Sequence, residues 1–94
     1  MKFKVTKEDI ENGRQQDPEH NPLALALARE MGLQAGEVEC NQHYVMIDWI
    51  EYDTTPQMLK FWRTYEGWPN GWPRRSCGGP ACVRPAEFEF NFVK

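Results

Sequence analysis

Cys40 and His43 stand two residues apart, and Cys77 and Cys82 stand four apart. Three thiolates and an imidazole in two such pairs are a donor set that tetrahedral zinc accepts, one pair on a hairpin and one on a loop. The competing reading makes Cys40 a small apolar strand residue, His43 a surface ring, and Cys77 and Cys82 loop thiols able to close a short disulfide ring. Cys77 or Cys82 can also be drawn with His43 and Asp48 as a nucleophilic triad. No local signature singles out an activated cysteine, and Gly78-Gly79 lacks the lysine and helix start of a phosphate loop. The expectation is a protein that is not an enzyme and carries no cofactor.

The remaining chemistry is that of contact. Residues 67–85 read GWPNGWPRRSCGGPACVRP, with Gly-Trp-Pro repeated and Trp68, Trp72, Arg74, Arg75 and Arg84 close together. Tryptophan and arginine dominate binding hot spots because each covers much area for few lost rotamers. The same residues stack on bases and pair with phosphates. The segment therefore reads as a long loop serving as an interface, as a lid over the core, or as both.

The chain of 94 residues carries 40% hydrophobic residues, enough for a small single domain spanning 1–94. Charge is polarised along it. Residues 1–53 hold 5 Lys/Arg against 11 Asp/Glu, and residues 54–94 hold 6 against 3. Carboxylates at Glu8, Asp9, Glu11, Asp17, Glu19, Glu30, Glu37 and Glu39 form an acidic first half, read as a solvated face in preference to a phosphate mimic. No apolar run is long enough to cross a bilayer, and the start lacks a secretory pattern. With an odd cysteine count, this implies a cytoplasmic protein without a membrane partner.

Local signals place these residues. Lys2–Val5 alternates as a short strand. Thr6 caps a helix over 7–12, which Gly13 is expected to end in the left-handed conformation. Asn21-Pro22 opens a second helix carrying Leu23, Leu27 and Met31 to Gly32. Residues 37–40 and 43–52 read as two strands turning at Asn41-Gln42, the second a long central strand with Val45, Ile47 and Trp49 on one face. Thr55-Pro56 starts a helix whose Met58, Phe61, Trp62 and Tyr65 share a stripe ended by Gly67. Phe88, Phe90 and Phe92 then alternate with polar residues as a final half-buried strand. The sum is an α+β domain, a mostly antiparallel sheet of about four strands with two to three helices on one face.

The segment from Val5 to Gly13, with Thr-x-x-x-Ile-x-x-Gly in Thr6, Ile10 and Gly13, followed by Asn21-Pro22-Leu23-Ala24-Leu25-Ala26, resembles a class of short phage-borne proteins. These similarly close on a helix and a Phe-rich strand. The class has no assigned activity, so the resemblance carries over no functional residue. It implies a protein of mobile-element origin that acts in the host cell by inhibiting or modulating a host protein or protein–nucleic-acid complex, including CRISPR and other defence machinery. The alternatives are a nucleotide or nucleic-acid binder using the Trp/Arg loop, and a zinc-stabilised interaction domain.

Overall fold

The computed structural model describes residues 1–67 and 78–90. Five strands form two antiparallel sheets: β1 (Lys2–Val5) pairs with β5 (Ala86–Glu89), and β2 (Val38–Cys40), β3 (Tyr44–Ile47) and β4 (Ile50–Asp53) lie in that order. The helices are α1 (Lys7–Asn12), α2 (Pro22–Glu30) and α3 (Pro56–Glu66), and a 3-10 turn covers Pro80–Cys82. This is the expected α+β class, with one strand more than expected among the described residues.

Each helix begins where a side chain satisfies its free N–H groups. The Thr6 hydroxyl accepts from the Asp9 N–H and the Asp9 carboxylate accepts from the Thr6 N–H, a reciprocal cap. Asn21 Oδ1 accepts from the Ala24 N–H at 2.9 Å while its Nδ2 donates to the Cys40 carbonyl at 2.8 Å, so this buried amide ties α2 to β2. Thr55 caps α3 through the Met58 N–H. At the far end of α2, Leu33 N–H reaches the Ala28 carbonyl and Gly32 N–H reaches that of Arg29, with Gly32 at φ +71°. This double bond is the Schellman ending.

Two expectations are corrected. Gly13 is extended at φ −71°, not left-handed. Glycine stands there because a Cβ would lie 2.6 Å from Pro22 Cδ, so it serves the close approach of α1 to α2. The strand expected over 43–52 is two strands. It breaks at Asp48-Trp49, both at positive φ (+53° and +66°), between the paired residues Ile47 and Ile50. Positive φ at both residues of a two-residue hairpin loop is the mark of a type I′ turn. Trp49 thus leaves the face of Val45 and Ile47 and is 90% exposed. The expected Phe92 lies outside the described residues; Phe88 and Phe90 are buried as the alternation requires.

The two sheets and three helices share one core, which includes Phe3, Val5, Leu23, Leu27, Val38, Val45, Met58 and Tyr65. Aromatic contacts join its parts: Phe3 stacks on Phe88 at 5.7 Å, Phe61 of α3 meets Phe88 edge-on at 5.5 Å, and Tyr52 meets Phe90 at 5.6 Å. Asp9 is 6% exposed and ion-paired to Arg29, whose second nitrogen donates to the Lys4 carbonyl. That guanidinium holds α1, α2 and β1 together. Among the described residues no helix is long and apolar enough to cross a membrane.

Candidate functional site

Among the described residues, the zinc and triad candidates Cys40, His43, Asp48 and Cys82 form no metal-holding cluster. Cys40 faces the core at 1% exposure, and burial, helped by the Glu39 charge, pushes its thiol pKa well above the usual cysteine range. A thiol held protonated is a poor nucleophile. His43 is exposed in the turn that follows, where its N–H and that of Tyr44 donate to Asn41 Oδ1. Asp48 is exposed at the tip of the next hairpin. Cys82 is exposed, its thiol donating to the Gly78 carbonyl at 3.4 Å. Among the described residues no three His, Cys, Asp or Glu side chains gather closely enough to hold a metal ion. Cys77, and with it the Cys77–Cys82 ring, lies outside the described residues.

Of the loop contacts, Trp68, Trp72, Arg74 and Arg75 also lie outside the described residues, while Arg84 is exposed between the 3-10 turn and β5. The neck of this loop is well defined. Gly67 ends α3 in the left-handed conformation at φ +87°. Gly79 N–H donates to the Tyr65 carbonyl, which also accepts from Gln15 Nε2 at 2.9 Å. A Cβ on Gly78 would press on that same carbonyl oxygen and stand 2.5 Å from the Gly67 nitrogen. Residues 67 and 78 are therefore in contact. Beside the neck, Glu66 is 5% exposed and accepts the Gln16 N–H at 2.6 Å. Burial, with a smaller contribution from Glu66, raises the Tyr65 phenol to about 12, so it stays neutral.

Away from the neck, a groove of about 650 Å³ lies under the Asp48-Trp49 tip. Its apolar floor comes from Met31 and Leu33, where α2 makes its Schellman exit, and from Met46 and Ile47 of β3. Glu37 and Glu39, entering β2, stand on one side, with Asp48 and Glu19 completing the rim. Four of its lining residues are carboxylates and, among the described residues that line it, none is basic. Glu37 turns back on its own loop to accept the Gln34 N–H. Glu19, Glu39 and Asp48 make no ion pair among the described residues.

No family model matches the chain, no curated protein matches its sequence, and no solved structure matches its fold. The site must be argued from its own chemistry. A tryptophan in the left-handed region is a backbone outlier costing on the order of 1 kcal/mol or more, where glycine would cost nothing. It is also almost wholly in water. A side chain that is costly to hold and costly to expose stands beside this groove. Sequence reading missed this tryptophan because it continues the apolar alternation of Val45 and Ile47. Asp48, a turn-forming residue within an apolar run, is the one signal that could have revealed it.

Proposed function

We propose that the chain is a non-enzymatic binding protein that grips a host macromolecular complex, with Trp49 as its anchor. Trp68, Trp72, Arg74, Arg75 and Arg84 are the second contact in this reading, on the residue types alone. The observation that carries the proposal is the exposed Trp49 on a two-residue turn. Tryptophans of this kind supply binding energy when a partner desolvates them, on the order of 2 kcal/mol or more each. A carboxylate-lined groove repels phosphate, which favours a protein over a nucleic acid or nucleotide at this face. The resemblance to short phage-borne proteins supports a mobile-element origin, a place of action in the host cytoplasm, and inhibition or modulation as the outcome of binding.

Trp49→Gly is the suitable test, since glycine suits the turn and leaves the fold intact. Affinity capture from bacterial lysate, quantified by mass spectrometry, should show a partner retained by the wild type and lost by Trp49→Gly. A separate loss on changing Trp68, Trp72, Arg74 and Arg75 together to alanine would mark the second contact. Equal capture by wild type and Trp49→Gly would remove Trp49 from the interface and end this reading of the site.

A further inference from the structure

The groove beneath Trp49 also says what kind of segment it takes, on the premise that this face is a binding surface. We infer that its occupant is a basic, amphipathic segment of a partner protein, with apolar side chains on the groove floor and lysine or arginine facing the rim. Three properties of the groove meet in that class. The floor is apolar and half-buried, and two of its residues, Met31 and Met46, are methionines, whose unbranched chains repack around an incoming side chain. The rim carries Glu19, Glu39 and Asp48 without a cation among the described residues, so a neutral or acidic segment would desolvate these carboxylates for no return. Trp49 stands over the groove with its ring in water, and a ring in that position gains from an arginine or lysine above its face. The volume, about 650 Å³, suits a few side chains of a segment and is far below a whole domain interface.

A segment bound here would feel the carboxylates as a field as well as contacts. Its association should accelerate at low salt and weaken as salt rises, because exposed rim charges are screened within about 10 Å at ordinary ionic strength. The apolar floor supplies a contribution that salt does not remove. Both must be present if the inference is right.

The test uses the full ¹⁵N-labelled chain and three synthetic peptides of equal length. One alternates leucine with arginine, one alternates leucine with glutamate, and one alternates serine with arginine. The expected result is that the leucine/arginine peptide shifts the amides of Gly36, Glu39, Met46 and Asp48 and the Trp49 indole, and that the other two leave them in place. Glu39→Gln with Asp48→Asn removes two charges at nearly constant shape, and asparagine suits the left-handed backbone. That pair should weaken binding about fivefold at low salt, and Trp49→Gly about tenfold or more. Equal shifts from the glutamate peptide, or from the serine/arginine peptide, would overturn the inference, as would shifts confined to another face. So would an absence of shifts at millimolar peptide. Concentration-dependent shifts of the same amides in the protein alone would make a second copy the occupant and overturn it too. Loss of lysate capture by Trp49→Gly together with silence toward all three peptides would sink this inference alone and leave the binding-protein reading standing.

Discussion

The loop neck and the hairpin tip both demand positive φ, and the chain answers them with opposite residues. At the neck, Gly67, Gly78 and Gly79 supply positive φ (+87°, +64° and +85°). At the tip, Asp48 and Trp49 are held at +53° and +66°. Space explains the first choice. A side chain at Gly78 would enter the Tyr65 carbonyl and the Gly67 nitrogen, so there the left-handed conformation serves close packing. The tip points into water, where glycine would also fit, yet tryptophan stands there. At the neck backbone geometry is the purpose, whereas at the tip it is a cost borne to hold a ring outside the core.

That contrast can be broken by mutation, and the neck should give the largest effect. Gly78→Ala combines left-handed strain of about 1 kcal/mol with overpacking of about 2 kcal/mol, so denaturant melts should show a loss of about 3 kcal/mol. Gly32, at φ +71° with nothing within 4 Å of its added Cβ, isolates the strain alone. Gly32→Ala should therefore cost only about 1 kcal/mol. If both substitutions cost the same, packing is not what separates the two regions.

Trp49→Gly should act in the opposite direction, raising stability by up to about 1 kcal/mol as strain and an exposed ring are removed together. A rise in the melting temperature coupled to loss of partner capture would be the signature of a residue kept for binding. A fall would mean that the ring packs usefully across the groove, and the contrast with the neck would close.

The smallest effect concerns the brace that holds the neck from behind. Gln15 and Gln16 reach Tyr65 and Glu66 from a turn fastened by Asp17 and His20, whose ring nitrogen lies 3.1 Å from the carboxylate. Desolvation works against ionisation of Asp17, but the His20 hydrogen bond and charge, the Glu19 N–H and Arg14 outweigh it and set the carboxyl below its ordinary value. A depressed carboxyl stabilises the fold above the unfolded value of about 3.9, and that contribution fades as pH falls through the folded value. Melting curves of wild type and Asp17→Asn should then converge below about pH 4 and separate slightly above it. Curves that stay parallel through that range would detach the brace from the neck.

What was legible in the sequence divides along the same line. Caps are local chemistry: Thr6, Asn21-Pro22 and Thr55-Pro56 begin helices, and Gly67 ends one through its left-handed backbone. Alternation correctly placed Phe3, Val5, Phe88 and Phe90 in the core. It failed at Asp48-Trp49 because period-two patterning continues through a two-residue turn, whose usual sign, a glycine, is missing. Gly13 was misread because proximity to Pro22 is a tertiary fact no helix-ending rule contains. The acidic residues were legible as charge but not as a place. Only the fold sets Glu19, Glu37 and Glu39 beside Asp48, and turns Asp9 inward toward Arg29.

The β1–β5 ladder carries one more consequence, this time for the order of events during synthesis. Phe3 lies opposite Phe88, and the Met1 backbone exchanges hydrogen bonds with Phe90 in both directions. β1 is made before its partner and waits for residues 86–90 before it can pair. Until then Phe3 and Val5 sit on an unpartnered edge, while the β2–β3–β4 meander, closed by short local turns, can already form. Pairings so distant in sequence close slowly, and an open apolar edge is where nascent chains aggregate. Slowing translation near the end of this chain should therefore lower its soluble yield more than slowing it at the start.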